Sequence, residues 1–280
     1  GAVGWRWVFL GVPVLAVGAW LLVRTTPSTP GENQTREIRI GAALVAAAGV
    51  MIVTIGGQRL VAGWPALVLA GVVVVVLAGR RLLPPGSWSG RRGLPSVIGT
   101  KGLISIAYAS AEVYVPLLLT LARGLTLAQA GWVLTTGAVT WSTGAWLAAH
   151  WRVLREEIVR VRLGCALIAT GVGGFALVAV PTVPLVVPVI SWGTAALGIG
   201  MATSTLSVLA MALAPAGGQG RTSSALQLND SLAQSTALAV GSVLFAGLAS
   251  RNPVGGATLL VAAAALVGVF SLVPAARLRP

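Results

Sequence analysis

The chain has 280 residues, 56% of them hydrophobic and 9% charged, with mean hydropathy +0.90 and a formal charge of +13. A soluble domain carries about 25% charged residues, so the composition excludes one and specifies a polytopic all-α integral membrane protein that meets the lipid bilayer on most of its surface. The arginines cluster in loops between apolar runs, where orientation signals belong, and no basic patch is interleaved with aromatics, so no nucleic-acid partner is expected.

A helix needs about 20 apolar residues to cross the hydrocarbon core, and nine runs approach that length. The first is about Trp5–Val23, followed by the polar loop Arg24–Arg39. No signal-peptide pattern opens the chain and its first residue is Gly, so an internal fragment or a processed chain is expected. The second and third runs, about Gly41–Ile55 and Trp64–Gly79, are short and almost featureless. Arg80–Leu94 then combines four arginines with two prolines and reads as a boundary. The fourth run is about Val97–Ala122 and the fifth about Leu127–His150, followed by the charged loop Trp151–Arg162. The sixth is about Leu163–Val180, the seventh Pro184–Ala214, the eighth Thr222–Ala249 and the ninth Ala257–Val273.

With nine spans, one side of the membrane holds four basic residues: Arg6, Arg59, Arg123 and Arg251. The other side holds the remaining fifteen, Lys101 counted among them. The positive-inside rule then places the C-terminus in the cytoplasm and the N-terminus outside, across a cell inner (plasma) membrane.

Only six residues are acidic, and four of them lie in polar segments that contain arginine. The other two, Glu112 and Asp230, lie inside apolar runs. An ionisable group in a span is costly and marks a proton relay, a counter-ion or a substrate contact. Lys101, Ser105, Tyr108 and Glu112 follow at spacings of four, three and four, which lines them along one helix face. Gln227, Asp230 and Gln234 share a face in the same way. Asp230 either reaches a water-filled cavity or caps the helix and pairs with Arg221. In the fifth run Thr136, Thr140 and Thr143 share a face, and such hydroxyls mostly bond back to their own helix. Trp141 lies mid-span, away from the interfacial belts, and is expected to wall a cavity. The seventh run carries Thr194 among other hydroxyls, with Gly193, Gly198 and Gly200, which mean either tight packing or a flexible cavity-lining helix. One cysteine and one histidine exclude a clustered metal site, and no cofactor motif is present. No Ser/His/Asp set supports an enzyme.

The stretch GWRWVFLGVPVLAVG at Gly4–Gly18 resembles the opening of the sixth helix in the fourteen-helix drug:proton antiporters of the major facilitator superfamily. GLISIAYASAEVYVPLLL, with Glu112 and Pro116, resembles the first helix of that family's C-terminal half. Gly198–Thr203 and the later QGRTSSALQLNDSLAQS resemble the fourth and fifth helices of the half. The resemblance implies about nine of fourteen helices. Residues 1–24 would end the N-terminal half, residues 25–93 would form a linker pair with loops, and residues 94–280 would form the six-helix C-terminal bundle.

It further implies proton-coupled export of drug-like or amphipathic small molecules. Glu112 and Asp230 would couple protons, and Tyr108, Trp141, Thr140, Thr194, Gln227 and Gln234 would line the substrate cavity. Such transporters bind substrate between two halves near the midplane, so a separate N-terminal half is an expected partner and the chain alone is expected to build no gradient. The alternative is a non-transporting remnant or interaction subunit whose polar residues only hold helices together. In the reassembled transporter Glu112→Gln is expected to lose proton-coupled efflux, and Asp230→Asn to have a milder effect on it.

Overall fold

A computed structural model describes residues 13, 16–18, 20–21, 24, 33–57, 63–83, 86–87, 91–150 and 156–278. The chain divides into two compact units, Gly1–Ile38 and Arg39–Pro280. In the first, residues 16–18 and 20–21 are helical and the Arg24 guanidinium lies 5.4 Å from the centre of the Trp20 ring. The expected first span, Trp5–Val23, falls largely outside the described residues.

The described helices are α1 (Asn33–Gly57), α2 (Trp64–Leu82), α3 (Leu94–Arg123), α4 (Leu127–His150), α5 (Glu157–Phe175), α6 (Val186–Ala212), α7 (Gln219–Ala249), α8 (Pro253–Phe270) and the short α9 (Leu272–Ala275). Among the described residues there is no strand, and α2, α3 and α5 to α8 are each long and apolar enough to cross a membrane. Five helices, α1, α3, α5, α7 and α8, start earlier than expected, and α1 and α5 by the most. α1 begins at Asn33 within the supposed loop Arg24–Arg39, and α5 begins at Glu157 within Trp151–Arg162. Apolar counting finds only the part of a helix inside hydrocarbon, whereas backbone hydrogen bonding continues into the polar zone. Glu157, the acid in the first turn of α5, suits the positive end of the helix dipole.

Local sequence sets the limits of α3. Pro95 occupies its first turn, where a missing N–H costs nothing. Gly124 closes it in the left-handed region at φ 65°, its N–H bonding to Thr120 O at 3.0 Å while Leu125 N bonds to Leu119 O at 3.2 Å. That pattern satisfies the last carbonyls, and only glycine adopts it without strain.

In the second unit α6 packs against α3, α4, α5 and α7, and α3 also meets α7 and α8. Between apolar helices in lipid the hydrophobic effect gives no attraction, so close contact depends on small residues. A Cβ on Gly144 of α4 would stand 2.1 Å from Leu197 O of α6, and one on Gly200 would stand 2.1 Å from Trp141 O. A Cβ on Gly198 would stand 2.7 Å from Gly164 O and 2.9 Å from Ile168 N of α5. The seventh run's glycines therefore serve tight packing at Gly198 and Gly200.

The two ends of the bundle are fastened differently. At the far end the Arg123 guanidinium donates to the carbonyls of Val178, Val180, Pro181 and Val183 at 2.7–3.2 Å, which ties α3 to the α5–α6 turn. At the opposite, basic end Ser96 Oγ donates to Pro274 O at 2.5 Å and Gly93 N to Arg277 O at 3.3 Å. α1 and α2 approach each other at Gly49 and Gly71 and pack on α7, with Ala46, Ala78 and Leu82 set beside Leu228 and Leu232.

Candidate functional site

The polar face of α3 is where the unusual residues meet. Lys101, 8% exposed, turns inward from the basic end, and its Nζ lies 2.7 Å from Asp230 Oδ2 on α7. Ser105, one turn along, donates from Oγ to Asp230 Oδ1 at 2.6 Å. Both oxygens of Asp230 are thereby used. Two expectations change. Lys101 is not a loop cation, so the asymmetry expected from nine spans becomes fourteen against four. Asp230 pairs with Lys101 rather than Arg221, because the α3–α7 contact brings a cation to its own level of the bundle.

An aromatic wall follows on the same face of α3. Tyr108, 4% exposed, stacks on Trp192 of α6 with ring centres 4.8 Å apart and planes at 23°. Its other side meets the edge of Trp141 of α4 at 5.3 Å and 86°. Phe175 of α5 stands 5.8 Å behind Trp192, so four rings run from the core outward. Trp141 ends the series at 37% exposure. Gly137 makes the wall possible: a Cβ there would lie 2.6 Å from Trp192 Nε1. That indole nitrogen is buried without a hydrogen-bond partner.

Glu112 is exposed on α3, one turn beyond Tyr108 and about 10 Å along the axis from Ser105. The spacing explains a second property. The helical N–H that would bond the Glu112 carbonyl belongs to Pro116, which has none, so a backbone oxygen is freed beside the carboxylate. Glu112 is therefore an acceptor-rich point at the rim of the aromatic wall, while Asp230 is a neutralised one deeper toward the basic end.

The remaining expected residues divide. Thr140 bonds back to Thr136 O and Gly137 O, both at 3.0 Å, and its methyl faces the Gly193 position. Thr194 bonds back to Ile190 O at 2.9 Å. Gln227 and Gln234 are exposed on α7 and do not join the aromatic wall. Sequence reasoning missed Trp192, which lies six residues into α6 and so reads as an interfacial tryptophan. It also missed Asn229, whose Nδ2 donates to Ile98 O at 3.0 Å and fits against Gly102.

This arrangement offers a charge-bearing oxygen cluster next to a π surface. A cation over an aromatic face gains about 0.5–2 kcal/mol, most when water is excluded. A carboxylate beside it binds either that cation or a proton. A sequence model of the Major Facilitator Superfamily matches residues 1–238. No curated protein matches the chain.

Proposed function

The chain belongs to the Major Facilitator Superfamily, and on that premise we propose that it forms the proton-binding and substrate-binding side of an exporter for drug-like or amphipathic cations. The observation that carries the reading is Glu112: a carboxylate without an ion partner among the described residues, set at the rim of the Tyr108–Trp141–Trp192 wall. Proton and cation compete for that one group, which links the release of one to the capture of the other. Asp230, held by Lys101 and Ser105, keeps α3 against α7 and yields its proton role to Glu112.

The fourteen-to-four asymmetry supports a cytoplasmic basic end in a plasma membrane. The exposed polar residues of α3, α4 and α7 support a second helical bundle as partner, since polar side chains in lipid seek protein or water. The fourteen-helix antiporter branch is the branch this reading favours.

The test is efflux of a lipophilic cation from vesicles under an imposed pH gradient, with the chain alone and with a six-helix partner bundle co-expressed. Efflux that disappears with the gradient and with Glu112→Gln supports the reading. Efflux indifferent to both would overturn it.

A further inference from the structure

A cavity lies on the side of α3 opposite the aromatic wall. It occupies about 680 Å³ between α2, α3, α7 and the end of α8, within the range of small-molecule sites. Val76 of α2, Leu103 and Ile106 of α3, and Ala233 of α7 make its walls, and almost all of its lining is apolar. Four polar residues break that lining: Ser87, Asn229, Thr236 and Arg277. Thr236 presents a hydroxyl oxygen that is buried and makes no hydrogen bond. Arg277, exposed past α9, stands at the basic end of the cavity. Along α7 the lining runs from Asn229 to Val240, eleven residues or about 16 Å.

We propose that this cleft holds one anionic phospholipid, an acyl chain between α2 and α3 and the phosphate on Arg277. Several features favour that occupant over a soluble one. α1 and α2 pack on α7, so the space between α2 and α3 is left for a flexible apolar filler. A chain of methylenes matches such a long apolar slot, and Leu103, Ile106 and Val240 line it with apolar side chains. A basic residue at the mouth of an interhelical pocket selects an anionic head group. Glu112 and Tyr108 lie on the other face of α3, so the lipid is separate from the transported compound.

The experiment is native mass spectrometry of the purified, delipidated full chain titrated with phosphatidylglycerol or phosphatidylcholine of equal chain length. The parent should bind phosphatidylglycerol preferentially with a single saturating adduct. Arg277→Gln, a change at an exposed position, should weaken phosphatidylglycerol about fivefold and leave phosphatidylcholine unaltered. Ala233→Phe should fill the cleft and abolish the adduct, while Glu112→Gln should leave it intact. Equal binding of the two lipids by the parent, or Arg277→Gln binding like the parent, would overturn the proposal. So would loss of the adduct in Glu112→Gln, which would put the amphiphile in the transport site instead.

Discussion

Asp230 and Trp141 show what a single residue contributes once its neighbours are known. Removing the charge of Asp230 leaves Lys101 buried and uncompensated, and breaking such a pair costs about 3 kcal/mol or more. The mildness expected of Asp230→Asn concerns efflux; for stability, thermal unfolding in detergent should show a marked loss. The double change Lys101→Met with Asp230→Leu should recover most of it, and a double variant no better than Asp230→Asn would mean the pair is not what matters. For Trp141→Ala, affinity for an aromatic cation should fall by about 0.5–2 kcal/mol, with Trp141→Phe in between. Equal binding by all three would exclude Trp141 from the site. The sequence made Trp141 and Glu112 legible because each is out of place by depth, a rule that needs no partner. It hid the Lys101–Asp230 pair, because a contact between residues 129 apart depends on which helices touch. The only lysine on a face that carries a carboxylate was the available hint.

Helices were legible wherever apolar length marked them, as for the end of α3 near Ala122. The start of α8 was not: it begins at Pro253, four residues before Ala257, behind the Asn252 side chain that accepts from Gly255 N at 2.9 Å. The polar extensions were not legible either, since α1 and α5 carry Arg and Glu beyond the apolar core. Glycine spacing indicated close helices without saying which ones. The contact at Gly144 and Gly200 supplies the partner and a prediction at this scale. Gly200→Val has no space between α4 and α6 and should lower folded yield severely, more than the about 1–3 kcal/mol of ordinary overpacking. Gly131→Val, where nothing stands within 4 Å of the new Cβ, should accumulate like the parent. Similar yields of the two by fluorescence-detected size exclusion would show that the α4–α6 approach is not required.

The basic end, the aromatic wall and the far-end Arg123 clamp are arranged along one axis of the second unit. Fourteen basic residues on one side against four on the other predict that a reporter after Arg279 reads as cytoplasmic and that labelling near Arg251 reads as external. Equal external labelling near Arg251 and near Arg155 would contradict this topology. The central claim is that proton and cation exchange at one carboxylate. It is tested most directly by adding a lipophilic cation to the purified chain, reconstituted with a co-expressed six-helix bundle in weakly buffered medium, and recording the pH. The account predicts acidification that saturates with the cation and vanishes in Glu112→Gln, while Asp230→Asn protein that remains folded still releases protons. Acidification of equal size in Glu112→Gln, or its loss only in Asp230→Asn, would contradict it.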